Sequence, residues 1–350
     1  METAQINDRK RILYLDYIKV FASLAVMLIH VIADGWYTSG INSSDWRFYN
    51  TVDGLIRWCV PVFVMASGVL FLNKNIPIKK LYTKYILKLL ITFVVWSLLY
   101  ALTSYQTMTG LFYDFFYRPF HLWYILMTIG LYICIPLFKP IISSDNRIIY
   151  FLSLSFVFAF FLPWTSSIVN HFGGNVLNRA YTAIIQSLNN LDIHIVLGYS
   201  GYFILGFYLN KISLNKKQRI IIYSISLLGA LMTIGLSYAA CVKLNTLVED
   251  YFQYLRVNVL LTAMGIFVWF KYRNYNNQKL NNFFIKISKY SLAAYIVHIF
   301  ILDTIKKYKV TSNIQIPVLY VICTWGILFI VSYLISAIIN HIPVLNKYIS

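Results

Sequence analysis

The chain has 350 residues, of which 59% are hydrophobic, 18% aromatic and only 12% charged, and its net charge is +18. So little charge on so apolar a chain excludes an ordinary soluble enzyme and points to a polytopic membrane protein. The four cysteines, Cys59, Cys134, Cys241 and Cys323, lie in apolar segments without metal-ligand spacing, so they read as packing residues.

Apolar runs of spanning length, roughly 17 to 25 residues, occupy residues 12–33, 55–72, 86–105, 122–138, 148–164, 195–209, 220–242, 254–270, 285–302 and 316–339. The fold class expected is therefore an all-α polytopic membrane protein of about ten transmembrane helices. The first run is too long for the apolar core of a signal peptide, so no cleavable leader is expected and residues 1–350 read as one integral membrane domain. Most of the 30 Lys and Arg, with few acids beside them, fall in the segments on the side of the N-terminus. Cytoplasmic loops retain such an excess, so both termini are expected to be cytoplasmic. Loop topology and anionic lipid headgroups account for the positive charge, and no nucleic-acid partner is implied.

In the first run, Lys19 and His30 stand eleven residues apart. At 100° per residue that spacing makes about three turns and returns both side chains to nearly one face, roughly 16 Å apart. Asp16 and Asp34 fall close to the same stripe. Ionisable groups within a span are costly and mark a functional face, which must turn towards protein or water. His30 and Asp34 also have the His-x-x-x-Asp spacing of several soluble CoA-dependent acyltransferases; Asp34 either orients His30 or is a solvated acid, and the second reading is favoured. The aromatics of the following outer segment, Trp36, Tyr37, Trp46 and Tyr49, read as an interfacial belt or as a sugar-stacking surface, the belt being the commoner case.

The second run begins at Arg57 and carries Ser67. The third opens with Lys79, Lys80, Lys84 and Lys88 at three- and four-residue steps, either a plain positive flank or a docking point for a polyanion such as the phosphates of coenzyme A. His121 starts the fourth run, followed by Trp123 and Tyr124; His194 precedes the sixth, Arg256 lies near the outer end of the eighth, and His298 lies in the outer half of the ninth. With His30 and Arg57 they share one depth, which makes a cluster possible there. Residues 165–194 form the longest non-spanning stretch, with a short surface helix expected over 180–191.

These motifs carry a resemblance. Arg11-Ile-Leu-Tyr-Leu-Asp16-Tyr-Ile-Lys19 through His30, Val60-Pro61-Val-Phe63 through Ser67-Gly68, His121-Leu-Trp123-Tyr124 with Tyr132 and Pro136, Gly201-Tyr-Phe-Ile-Leu-Gly206, and Ser291 through Tyr295 to His298 are similar to the signatures of the membrane-bound acyltransferase-3 family of O-acyltransferases. The resemblance runs over most of the chain. It implies transfer of an acyl group, usually acetyl, from cytoplasmic acyl-CoA to a hydroxyl of a carbohydrate or other cell-envelope acceptor. It also implies a catalytic role for His30 and an essential basic residue at Lys19. Substrate contacts are then expected at Asp16, Arg57, Ser67, His121, Trp123, Tyr124 and His298, and acyl-CoA contacts at Lys80, Lys84 and Lys88. Lysines stand there where the family often has arginines, and they lack the bidentate fork. No metal is expected, and membrane lipid is the surrounding partner. The Lys, Asn and Ile content suggests a bacterial cell membrane. A flippase for a lipid-linked sugar is the rival reading, and a subunit without turnover the third.

Overall fold

The computed structural model describes residues 11–103, 111, 114–115, 120–189 and 198–342. Among these residues the secondary structure is entirely helical. The helices used below are α1 (Leu13–Thr38), α2 (Ser44–Ile56), α3 (Cys59–Leu72), α4 (Ile78–Leu102), α5 (Trp123–Ile133), α6 (Ile135–Ile142), α7 (Asp145–Phe172), α8 (Asn175–Asn189), α9 (Ser200–Lys211), α10 (Lys216–Leu244), α11 (Val257–Tyr272), α12 (Gln278–Ser288), α13 (Ser291–Lys307) and α14 (Pro317–His341). Among the described residues seven helical stretches are long and apolar enough to cross a membrane, counting α2 with α3 as Ser44–Leu72 and α11 from Asp250, and up to nine if the bent pairs α5/α6 and α12/α13 each form one span. Nine of the apolar runs expected from the sequence are accounted for in this way. The remaining one, residues 195–209, contributes α9, whose 12 described residues are short of a span.

The bends have local causes and consequences. Pro136 sits in the first turn of α6, where its missing N–H costs no helical bond, and the chain turns by 57° there. No proline marks the 62° break between α12 and α13. Instead, Arg11 reaches the Ile285 carbonyl at 3.4 Å, and the Ser288 hydroxyl donates to Asp16 of α1 at 2.6 Å, so the end of α12 is tied to the start of α1.

α1 runs through the middle of the bundle, against α2, α3, α12, α13 and α14. Its neighbour α3 meets α9 almost backbone to backbone. A Cβ on Gly68 would collide with the Phe203 carbonyl, and one on Gly206 with the Met65 backbone, which explains why small residues occupy both motifs. Two lysines close helix ends at the Lys19 end of the bundle: Lys139 donates to the Leu72 and Lys74 carbonyls, and Lys271 to those of Leu209, Asn210 and Ile212. The helix expected over 180–191 falls within α8 as far as Asn189, and residues 190–191 lie outside the described residues.

Candidate functional site

Near the start of α1, Asp16 and Lys19 are one turn apart yet have different surroundings. Asp16 is buried and accepts two bonds from Arg11, at 2.6 and 2.7 Å, besides that from Ser288. Its carboxylate is thereby occupied. Lys19, largely enclosed, has Asp16, Arg11 and Lys74 as its nearest charges but makes no hydrogen bond or ion pair among the described residues. It lines a cavity of about 360 Å³ bounded by α1, α3, α4, α5 and the α12/α13 break.

The cavity is elongated. Its wall on α3 runs from Phe71 to Val60, which at 1.5 Å per residue is roughly 16 Å. Phe63, Phe71 and Leu89 make it apolar, while Ser67, Tyr124, Tyr132 and Tyr295 supply hydroxyls along its length. Ser67 lies beside Tyr124 and Tyr132 in that lining. Exposed Lys289 lines the same space, so the cavity opens at the Lys19 end.

Beyond Tyr124 and Tyr295 lie three histidines. The ring centroids of His30 and His298 are 5.1 Å apart, and those of His298 and His121 5.5 Å. His298 is fully buried and donates from Nδ1 to the Tyr295 carbonyl, because a carbonyl only accepts; its Nε2 is left a bare lone pair without a partner. By the same argument His121 donates from Nε2 to the Ile296 carbonyl at 3.1 Å and leaves Nδ1 bare and unpartnered. The Tyr295 hydroxyl donates to the His121 carbonyl and fixes α13 to the start of α5. Arg57 stands at this end, among the charges that act on His30; it is paired with Asp53 one turn earlier, and its Cζ lies 4.7 Å from the centre of the Phe252 ring. Among the described residues no group of His, Cys, Asp or Glu is arranged to hold a metal ion.

The structure thus brings together His30, His121 and His298 at one end of the site, with Arg57 beside them, and Lys19, Ser67 and Tyr124 along the cavity. Trp123 is 36% exposed and stacks on Tyr254 outside the cavity lining. Lys80, Lys84 and Lys88 stand on α4 outside that lining too, Lys80 and Lys84 exposed. Asp34 is paired with Lys306 rather than His30, which agrees with the favoured reading of it as an acid outside the site. Arg256 lies 3.9 Å from Asp250, and His194 falls outside the described residues.

The outer aromatics require a correction. Trp36, Trp46 and Tyr49 are buried, and Trp36 packs between Trp46 and Phe252, so they form neither a lipid-facing belt nor an open sugar platform. The α2 helix folds back over the end of α1 and encloses them; only Tyr37 stays exposed, bound to Glu249 at 2.7 Å. Two participants were not singled out from sequence, Lys289 in the cavity lining and Asp53 as the partner of Arg57; Tyr295, which stands between cavity and histidines, lies in the motif that ends at His298. The four-residue Asp53–Arg57 spacing was a legible ion-pair signal. Nothing local marks Lys289, which looks like another loop lysine.

An apolar helical bundle with a polar seam and cavity built along its first helix defines a polytopic membrane protein with an internal site. A family model described as an acyltransferase domain matches residues 12–341, and the chain belongs to that acyltransferase-3 family, which makes it a membrane acyltransferase. No curated protein and no solved structure matches the chain.

Proposed function

We propose that the protein is an O-acyltransferase that takes an acyl group, acetyl in the simplest case, from acyl-CoA entering at the Lys19 end and passes it to a hydroxyl of a cell-envelope carbohydrate at the histidine end. Both termini, and with them the Lys19 end, face the cytoplasm in this reading, since that end carries the basic loops. The observation that carries the proposal is the cavity lined by a lysine without a partner, with a cluster of histidines behind its Tyr124 and Tyr295. From phosphate oxygen to sulfur, the pantetheine arm has a contour like that of four extended residues, roughly 14 Å. That is close to the roughly 16 Å rise between Lys19 and His30.

The step is a single displacement. His30 takes the proton of the acceptor hydroxyl as its oxygen attacks the thioester carbonyl. The tetrahedral intermediate then collapses, the carbon–sulfur bond breaks, and the thiolate recovers the proton from His30 to leave as CoA thiol. Hydroxyls of Tyr124 and Ser67, and the Arg57 guanidinium, are the donors available to the oxyanion. The bare nitrogens of His298 and His121 offer acceptors to a protonated His30.

Purified protein in detergent, given acetyl-CoA and a panel of glycans, should release thiol only with a competent acceptor. His30→Ala should abolish release without changing expression or insertion. An H30A protein with wild-type turnover would remove the proposed base. Glycan translocation without thiol release would favour the flippase reading.

A further inference from the structure

We propose that the break between α12 and α13 is an anion site that holds the phosphates of the acyl-CoA donor, with Lys289 and Lys19 as its cations and the first turn of α13 as its hydrogen-bond donor. The inference rests on the acyl-CoA reading above and gives the donor a specific berth in it.

Three observations converge at this break. First, Lys19 and Lys289 come from helices far apart in sequence and line one cavity, Lys19 without an ion-pair partner. An enclosed ammonium with no counter-ion is costly, and an anionic ligand removes that cost. Second, Asp16, the acid beside Lys19, already accepts from Arg11 and Ser288, and among the described residues neither Lys19 nor Lys289 forms an ion pair with it. Third, α13 begins here. Its N-cap Tyr290 provides no side-chain cap, and its first helical bond is Ala294 N–H to the Tyr290 carbonyl at 2.9 Å. The preceding amides, including those of the cavity-lining Ser291 and Leu292, have no intrahelical acceptor and point out of the helix start, where the dipole also favours an anion.

The position suits the donor. Exposed Lys289 marks the open end of the cavity, and the same helix that starts at the phosphates carries Tyr295 and His298 onward to the reacting end. An anion held at the break therefore points its pantetheine arm along α13 and α3 towards His30. Lys80, Lys84 and Lys88 lie outside the lining and are left to long-range attraction of the polyanion.

The test compares a donor that has phosphates with one that lacks them. Thiol release from acetyl-CoA and from acetyl-pantetheine is measured on wild type, Lys289→Gln and Lys289→Arg, alongside direct binding of free CoA and pantetheine. Lys289→Gln should raise the KM for acetyl-CoA about tenfold, the effect of one charge-assisted contact. It should leave kcat and the KM for acetyl-pantetheine unchanged, weaken CoA binding equally, and be rescued by Lys289→Arg. Unchanged CoA affinity in Lys289→Gln, or equal weakening of both donors, would overturn the site. Binding that responds to phosphatidylglycerol micelles and not to CoA would overturn it in favour of a lipid headgroup. Wild type that binds CoA through Lys289 but releases no thiol would support the anion site and reject the acyl-transfer chemistry, so the two failures are distinct.

Discussion

His298 faces His30 across the contact of α13 with α1, the two ring centroids 5.1 Å apart, and its Nδ1 is tied to the backbone of its own helix. With each ring nitrogen about 1 Å from its centroid, a rotation of the His30 ring brings nitrogen to nitrogen within hydrogen-bond range. The carbonyl of Tyr295 decides the roles: with Nδ1 donating to it, the Nε2 of His298 is an acceptor, which would take a proton-bearing nitrogen of a rotated His30 and leave the other nitrogen to act as base. His298→Ala should lower kcat about 100-fold with the donor KM unchanged. His298→Gln keeps an acceptor oxygen and should recover part of the rate. Single-turnover acyl transfer on the three proteins measures this, and full activity in His298→Ala would remove the pairing.

Lys19 has no partner of its own, so its replacement reports on what the cavity must bind. If the requirement is positive charge, Lys19→Arg should stay within a few-fold of wild type in kcat/KM, because the cavity of about 360 Å³ leaves room for a guanidinium. Lys19→Ala should lose at least about tenfold in kcat/KM for acetyl-CoA. Equal and complete loss in both variants would show instead that a compact ammonium is required.

The legibility of this chain from sequence varied with the range of the interactions involved. Long apolar runs mark helices because lipid imposes length and composition directly, and the Lys19–His30 stripe follows from helical geometry alone. Hence α1 and the gathering of His30, His121 and His298 at one depth were readable. What failed depends on how helices fold over one another. Trp36 and Trp46 look like interfacial aromatics until α2 covers them, and Lys289 looks like a loop lysine until the unprolined break at Ser288 turns it into the cavity. Conversely, Lys80 and Lys84 have the right spacing for a polyanion but stand outside the cavity lining, since periodicity fixes a face of a helix and says nothing of what that face meets.

Asp16 separates stability from chemistry, because it lies one turn from Lys19 and yet has its carboxylate filled. Asp16→Asn keeps the shape and the bond from Ser288 but removes the charge that Arg11 holds at 2.6 and 2.7 Å. Arg11 is 47% exposed and regains water when released, so the loss stays at about 1–2 kcal/mol, below that of a fully buried pair. The thermal midpoint in detergent should fall by a few degrees, while kcat of the folded fraction holds within a few-fold. The KM for acetyl-CoA should stay level or drop slightly, since the variant removes a negative charge beside the proposed phosphate berth. Asp16→Ala, which also frees Ser288, should lower the midpoint further and loosen the α12/α13 break. A variant with an unchanged midpoint and no turnover would reverse the assignment and place Asp16 in contact with substrate.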